Sequence, residues 1–194
     1  MATSLEYAHG MGKIHRDIKP ANIFLKAKSG PAVLGDFGLA WTNDLGERVT
    51  VTDEAVGSFR YRAPELADGR VDQPTRQCDI YSLGKVLYFM LSGGRVFDRE
   101  IHRDQTWNLV DLRQDIRLEH INNLLDHMIT FKPVDRYSAS EIRREAKEIK
   151  RLIEGEYAPL EGDIKTSSCK FCGRGHYQPI VHSVRDLCIF SDFQ

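Results

Sequence analysis

The chain has almost no net charge, no apolar run long enough to cross a membrane, and few cysteines. Its net charge is -1, with 27 Lys and Arg against 28 Asp and Glu, so we expect no nucleic-acid or anionic membrane partner, since both require a concentrated basic surface. The longest apolar run, 80–94, contains Lys85 and falls short of the roughly 20 residues that cross a bilayer. The N-terminus lacks the basic start and apolar centre of a secretory signal. We therefore expect a folded cytoplasmic protein.

The 4 cysteines are too unevenly spread to suggest a disulfide framework. Cys78 lies in the predicted apolar helix 78–91, whereas Cys169 and Cys172 form a C-x-x-C turn similar to the first knuckle of a zinc ribbon. Two other interpretations stay open: a vestigial or truncated ribbon, and a thiol redox pair, although Gly173 and Gly175 disfavour the helix that a redox C-x-x-C needs. A zinc site would use Cys169, Cys172, Cys188 and either His176 or His182.

Apolar periodicity predicts a mainly α-helical fold with a small β element. Apolar residues on every side of 78–91 indicate a buried central helix. Ser138 and Glu141 form a capping box that would start a helix over 139–154. Short apolar runs between 14 and 37 predict the β element. Further helices are predicted over 2–10 and 118–129, and a long surface segment over 39–62.

Three ordered motifs carry the functional information. Residues 15–22 read H-R-D-I-K-P-A-N, residues 36–38 read D-F-G, and residues 63–65 read A-P-E. Motifs of these types in this order resemble the signature of the protein kinases, and the chain closely resembles the C-terminal lobe of that family over about residues 1–153. The fold that the resemblance implies is a mainly helical kinase C-terminal lobe.

The resemblance also implies a phosphoryl-transfer chemistry. Asp17 would be the base that accepts the proton of the substrate hydroxyl, and Asn22 and Asp36 would hold the magnesium ions that bridge the ATP phosphates. Lys19 matches the serine/threonine kinase form of the loop, where this lysine contacts the transferred phosphate. The implied cofactors are therefore ATP and magnesium, and the implied substrate is a protein serine or threonine.

Further matching residues would hold the site together. His15 opens the catalytic motif, and Asp79 resembles the acid that holds the catalytic-loop backbone. An unpaired carboxylate at that buried position would be costly. Glu65 resembles the acid that pairs with a late arginine, which is Arg136 here.

The segment between the second and third motifs would carry regulation and substrate contacts. Ser58 resembles the hydroxyl residue that hydrogen-bonds near Asp17 and Lys19, and Arg16 resembles the arginine that binds a phosphate on the activation segment. A second interpretation treats the loop threonines only as solvated hydroxyls. The candidate phosphosites are Thr50, Thr52 and Ser58.

The sequence contains no G-x-G-x-x-G loop and no Val-Ala-Ile-Lys strand with its phosphate-pairing lysine, and only fourteen residues precede His15. We therefore expect the N-terminal kinase lobe to be absent from this chain. ATP binding is then expected to be very weak and phosphoryl transfer slow or lost. The N-terminal face of the lobe would expose apolar surface, which predicts a partner that covers it or poor solubility.

Three units and three functional hypotheses follow from these patterns. Residues 1–154 would form the kinase lobe, residues 155–166 a linker, and residues 167–194 the partial zinc-ribbon-like tail. The first hypothesis is a serine/threonine kinase catalytic-lobe fragment. The second is a noncatalytic, pseudokinase-like binding or scaffold module, and the third is a fragment with no function.

Overall fold

The structure, a computed structural model, describes residues 1–25, 32–37, 59–67, 74–98 and 100–155, and two short strands at 167–168 and 175–176. Several predicted residues lie outside these ranges, and the predictions on them stay predictions. Of His176 only the backbone strand is described. The predicted residues outside the described ranges are Thr50, Thr52, Ser58, Cys169, Cys172, Cys188 and His182.

The described residues form a mainly helical fold with a small β element, as predicted. The helices are α1 (Ala2–Gly10), α2 (Pro64–Ala67), α3 (Gln77–Ser92), α4 (Leu109–Arg113), α5 (Leu118–Asp126) and α6 (Ala139–Gly155). The strands are β1 (Ile23–Leu25), β2 (Ala32–Leu34), β3 (Ser167–Ser168) and β4 (Gly175–His176), and single 3-10 turns occur at Pro20–Asn22 and Pro133–Asp135. No helix in the described ranges is long and apolar enough to span a bilayer.

Helix α3 lies at the centre of the core. Every residue from Cys78 to Tyr88 is buried, which confirms the predicted central helix. Gly84 permits a close approach of Met128 to the helix, because a Cβ at position 84 would lie 2.8 Å from the Cβ of Met128. The helix ends at Gly93, whose φ of 80° lies in the left-handed region where glycine carries no steric cost.

Lys85 places an ammonium group inside this apolar helix. Its Nζ donates to the carbonyl oxygen of Phe97 and lies 3.9 Å from the centre of the Phe97 ring. Burial lowers the pKa of Lys85 to about 8, and the carboxylates of Asp98 and Glu100 partly oppose this shift. Lys85 thereby attaches the chain that follows α3 to the middle of the helix.

Helix α5 is shorter than the apolar pattern predicts. It ends at Asp126, whereas the pattern continues to Ile129. Met128 and Ile129 follow in a turn, and the Ile129 N–H donates to the Leu125 carbonyl oxygen at 2.7 Å. Both side chains are buried, and both pack beside Gly84. The apolar residues beyond the helix therefore reflect contact with α3 and not further helical turns.

Helix α6 begins at the predicted capping box and packs along α1. The Ser138 N–H donates to Glu141 Oε2 at 2.7 Å, and the Glu141 N–H donates to Ser138 Oγ at 3.3 Å. These hydrogen bonds hold the pKa of Glu141 below its usual value. Arg143 Nε lies 2.7 Å from Glu6 Oε2 of α1. The last long helix therefore supports the helix that leads into the catalytic motif.

Strands β1 and β2 pair antiparallel and leave one apolar face in solvent. Phe24 lies opposite Val33, and their side chains are 56% and 38% exposed. Ala32 and Leu34 point into the core, because successive side chains of a strand alternate between the two faces.

A second His-Arg-Asp triplet, residues 102–104, has a structural role. His102 Nε2 lies 2.8 Å from Asp126 Oδ1, and Arg103 forms a two-oxygen contact with the same carboxylate. Arg103 Nη1 also lies 2.6 Å from Glu119 Oε1. These contacts fasten the chain between α3 and α4 to α5. Asp104 is exposed, and its backbone carbonyl oxygen accepts hydrogen bonds from the N–H groups of Trp107 and Asn108.

Lowering the pH below about 6.5, the usual pKa of histidine, is expected to destabilise the fold through His102. Burial lowers the pKa of His102, and Asp126 only partly opposes this. The folded state therefore binds fewer protons than the unfolded state at mildly acidic pH, so stability is full above the unfolded pKa and is lost as the pH falls. Urea unfolding between pH 8 and pH 5 measures the effect. His102→Gln keeps an N–H donor toward Asp126 without titrating, so equal pH dependence in both proteins would contradict this prediction.

Candidate active site

The loop between α1 and β1 brings three of the predicted residues together. Lys19 Nζ lies 2.8 Å from Asp17 Oδ2. Asn22 Nδ2 donates to the Asp17 backbone oxygen at 2.8 Å and to Asp17 Oδ2 at 3.1 Å. Pro20 begins the 3-10 turn that returns Asn22 to this position, and Asn22 N–H donates to the Lys19 carbonyl oxygen. A carboxylate, an ammonium and an amide are thereby held in one cluster.

The amide of Asn22 is oriented by these contacts. Because its Nδ2 is used by Asp17, its Oδ1 is the atom left for a cation. The Gly35 N–H donates to the Asn22 carbonyl oxygen at 2.9 Å, which places Asp36 two residues beyond Leu34, the last residue of β2. Asp36 is exposed, has a φ of 58°, and has no ion pair with the described part of the chain. An amide oxygen and an available carboxylate are donors that suit magnesium.

His15 connects this loop to the D-F-G motif. Its Nε2 lies 2.9 Å from the carbonyl oxygen of Gly35, and its Nδ1 lies 3.3 Å from the Asp17 N–H. Because a carbonyl oxygen only accepts, the proton belongs on Nε2, and Nδ1 is left to accept from Asp17. The ring centre of His15 lies 4.5 Å from that of Phe37. The buried imidazole therefore spans the two motifs.

Asp79 holds the backbone of the same loop from helix α3, where the sequence analysis places it. It is completely buried. Its Oδ2 accepts from the His15 N–H and its Oδ1 from the Arg16 N–H, both at 2.8 Å. Arg16 has a φ of 69°, a conformation that is costly for a residue with a side chain. The carboxylate of Asp79 thus stabilises a strained turn directly before Asp17.

His9 is a contributor that the sequence analysis missed. It lies in the last turn of α1, is 5% exposed, and has its Nε2 2.8 Å from Asp79 Oδ2. The only sequence signal is a histidine on the buried side of a short helix, and such a residue is more often a packing residue than part of a site. The contact to residue 79 is visible only in three dimensions.

Glu65 and Arg136 form the predicted pair. Arg136 Nη1 lies 2.6 Å from Glu65 Oε1, and Nη2 lies 2.8 Å from Oε2. The Arg136 side chain is 0% exposed, and its other N–H groups donate to the carbonyl oxygens of Thr130, Gln77 and Phe131. This bidentate ion pair connects α2 to the turn before α6.

Before α2, the structure describes the chain from Phe59 onward. Phe59 is 55% exposed, whereas Tyr61 is buried and contacts the Phe89 ring edge-on at 6.1 Å. Part of the predicted surface segment is therefore anchored in the core. Burial raises the pKa of Tyr61.

Comparison with known proteins agrees with this geometry. The family model described as "Protein kinase domain" matches residues 1–146. The chain is 33% identical over 175 residues to the serine/threonine-protein kinase PkaB of Streptomyces coelicolor. This match covers 84% of this chain and 40% of that protein.

Two mycobacterial proteins give similar matches. The chain is 31% identical over 160 residues to the serine/threonine-protein kinase PknK of Mycobacterium bovis, covering 78% of this chain and 14% of that protein. It is 44% identical over 91 residues to the serine/threonine-protein kinase PknB of Mycobacterium tuberculosis, covering 46% of this chain and 14% of that protein. The chain spans less than half the length of each of these relatives. The motifs, their geometry and these matches establish that the chain belongs to the protein kinase family.

Proposed function

We propose that residues 1–154 are the catalytic lobe of a serine/threonine protein kinase. This lobe would transfer the terminal phosphoryl group of Mg-ATP to serine or threonine hydroxyls of proteins, and by itself it would do so very slowly. The observation that carries the proposal is the cluster of Asp17, Lys19 and Asn22, held within hydrogen-bonding distance in one loop. Phosphoryl transfer asks a protein mainly for positioning and for compensation of charge. In this cluster the Asp17 carboxylate can accept a proton, and the Lys19 ammonium group places a positive charge beside it.

Asp17 would accept the proton of the attacking hydroxyl. Its Oδ2 is contacted by Lys19 Nζ and Asn22 Nδ2, which fix the carboxylate without burying it completely. Lys19 would compensate the charge of the phosphoryl group as it leaves ATP. The serine and threonine specificity is supported by Lys19, which the resemblance associates with that class. It is also supported by the matched relatives, which are serine/threonine-protein kinases.

Asn22 Oδ1 and the Asp36 carboxylate are the groups that would hold magnesium. When bound, magnesium neutralises charge on the phosphate oxygens. Hydrogen bonds within the protein would orient these two ligands. The Asn22 amide is held by its hydrogen bond to the Asp17 carbonyl oxygen, and the backbone before Asp36 is held by the hydrogen bond from the Gly35 N–H to the Asn22 carbonyl oxygen. His15 would keep the D-F-G motif beside the loop through the Gly35 carbonyl oxygen.

Mn²⁺ titration in the presence of ATP tests the metal site directly. Paramagnetic broadening of amide resonances is expected to be strongest around Asn22 and Asp36. Asp36→Asn is expected to abolish it, whereas Asp104→Asn, which changes an exposed acid of the second His-Arg-Asp triplet, should leave it intact. Broadening centred on another part of the chain would contradict the proposed ligands.

We further propose that the 194 residues alone bind Mg-ATP only weakly. Lys19 is already paired with Asp17, and the sequence contains no glycine-rich phosphate loop or Val-Ala-Ile-Lys strand. Calorimetric titration with Mg-ATP is expected to give an affinity weaker than micromolar. A micromolar dissociation constant for this chain by itself would overturn this proposal.

A noncatalytic binding module is the second candidate function. The exposed cross-strand pair of Phe24 and Val33 lies on one face of the small sheet, and Phe37 is 38% exposed nearby in sequence. A protein partner that covers this face would remove apolar surface from water. The two functions differ in one respect: a binding module would keep its partner in Asp17→Asn, whereas the kinase would lose its activity.

The zinc-ribbon-like tail stays a prediction. Strands β3 and β4 pair antiparallel, with Ser168 opposite Gly175, and Cys169 and Cys172 lie between these strands in the sequence. Metal analysis of purified protein is expected to find zinc at near-stoichiometric level, and Cys172→Ser is expected to release it. Zinc-free protein would leave the vestigial ribbon and the thiol pair as interpretations.

A further inference from the structure

The segment that leads into α2 presents two arginine side chains to solvent, Arg60 and Arg62, which we call the arginine pair. Arg60 is exposed and Arg62 is half-buried, and neither forms an ion pair with an acid of the described ranges. Tyr61 and Ala63, by contrast, are buried, with exposures of 8% and 0%. Side chains therefore alternate between solvent and core from 60 to 63, and both guanidinium groups belong to the outer side.

The backbone that carries the arginine pair is held in place by its own contacts. The ring of Tyr61, between the two arginines, packs edge-on against Phe89 of α3 with ring centres 6.1 Å apart. The Arg62 N–H donates to the Phe59 carbonyl oxygen at 3.2 Å and closes a turn. A ligand of the arginine pair would therefore not have to order the backbone first, which reduces the entropic cost of binding.

The first turn of α3 anchors both this segment and the catalytic loop. The Gln77 carbonyl oxygen accepts from Arg136 Nη1 at 3.0 Å, and the same guanidinium binds Glu65 of α2. Two residues further along α3, Asp79 Oδ1 accepts from the Arg16 N–H at 2.8 Å. Helix α2 and the residue directly before the proposed base are therefore attached to one helix turn, and the arginine pair lies on the same side of the lobe as the proposed active site.

The acids of these two anchored segments are already bound by other cations. Glu65 is contacted by both Nη atoms of Arg136, and Asp17 Oδ2 lies 2.8 Å from Lys19 Nζ. The arginine pair is thus a positive charge that no acid in the described part of the chain balances. A positive surface beside a site attracts negatively charged partners and disfavours positively charged ones.

We propose that the arginine pair selects protein substrates that carry aspartate or glutamate near the accepting serine or threonine. This inference rests on the proposed function for the part that makes the bound peptide a substrate. A guanidinium group donates parallel N–H bonds that match the two oxygens of a carboxylate. An extended peptide covers about 3.3 Å per residue, so glutamates at several positions around the accepting residue sample the surface beside Asp17.

Fluorescence anisotropy of labelled peptides with the full chain tests this preference without any catalytic step. The probe is a peptide with one serine flanked on both sides by glutamates, and the reference peptide has glutamine at those places. We expect the glutamate peptide to bind about tenfold more tightly at low salt. The difference should shrink as salt is added, because exposed charges are screened.

Charge reversal shows whether the arginine pair causes the preference. Arg60→Glu combined with Arg62→Glu is expected to abolish the tighter binding of the glutamate peptide. Arg144→Glu combined with Arg151→Glu is the matched control, because it makes the same change in net charge on α6 side chains that are 71% and 77% exposed, and it should retain the preference. Glutamine at both 60 and 62 removes the positive charge without adding a negative one, and this variant serves if the glutamate variant does not fold.

Equal binding of the two peptides by the wild type, including no detectable binding of either, would overturn the proposal. So would an equal loss of preference in the α6 control. Binding only of a peptide with phosphoserine in place of the glutamates would overturn the choice of carboxylates. Transfer of labelled phosphate to the same peptides separates this inference from the proposed function. Glutamate preference in binding without any transfer would retain the arginine pair and refute the phosphotransferase, whereas equal transfer to both peptides would do the opposite.

Discussion

Asparagine in place of Asp17 is expected to lower the rate of phosphoryl transfer by about 10²–10⁴-fold, the usual contribution of a positioned general base. Asparagine preserves the size of the side chain, and it can still contact Lys19 and Asn22, which hold Asp17 Oδ2 now. What it loses is the ability to accept the proton of the substrate hydroxyl. The fold should change little, because Asp17 lies at the edge of the core and its side chain is 11% exposed.

The measurement is transfer of labelled phosphate from Mg-ATP to a protein substrate, in incubations long enough to detect a slow enzyme. Asp104→Asn is the matched control, since it makes the same change in the other His-Arg-Asp triplet, where the acid is exposed. We expect Asp104→Asn to retain wild-type transfer. A rate in Asp17→Asn equal to that of the control would show that Asp17 is not the base.

Removal of Arg136 is expected to reduce the free energy of unfolding by about 3–5 kcal/mol, the typical cost of leaving one member of a buried ion pair without its partner. In Arg136→Met, the carboxylate of Glu65 would lose both hydrogen bonds from the guanidinium. The carbonyl oxygens of Thr130, Gln77 and Phe131 would lose their donors as well. Several unsatisfied buried acceptors in one place add to the cost of the charge.

Urea unfolding of the wild type and the variants measures this effect. Glu65→Gln combined with Arg136→Met is expected to recover part of the loss, because the double variant leaves no buried charge. Arg143→Met removes a half-exposed pair with Glu6, in which both side chains are 36% exposed, and should cost only about 0.2–1 kcal/mol. A loss in Arg136→Met no larger than that in Arg143→Met would contradict a structural role for the buried pair.

Some features of this fold could be predicted because they depend only on residues that are close together in the sequence. Ser138 and Glu141 are three residues apart and cap a helix by themselves, and Gly93 ends α3 because of its own backbone freedom. The pairing of Glu65 with Arg136 spans 71 positions, and it was predicted only because the resemblance to a family supplied both partners. Periodicity alone contains no information about that contact.

Contacts outside the motifs could not be predicted for the same reason. His9 is separated from Asp79 by 70 positions, and nothing in the spacing of α1 indicates a partner for its imidazole. The triplet at 102–104 has the same three residue types as the start of the catalytic motif but a different role. Its His102 and Arg103 hold Asp126. The residues that follow separate the two triplets, because Lys19, Pro20 and Asn22 of the catalytic motif correspond to Thr106, Trp107 and Leu109 after the second triplet.

Phosphoamino-acid analysis of a protein labelled from the terminal phosphate of Mg-ATP tests whether the chain is a serine/threonine phosphotransferase. We expect label on serine and threonine with the wild-type chain after long incubation, and little or none with Asp17→Asn. Label on tyrosine, or equal label on serine and threonine from both proteins, would contradict the assignment of Asp17 and Lys19 to a serine/threonine phosphotransferase.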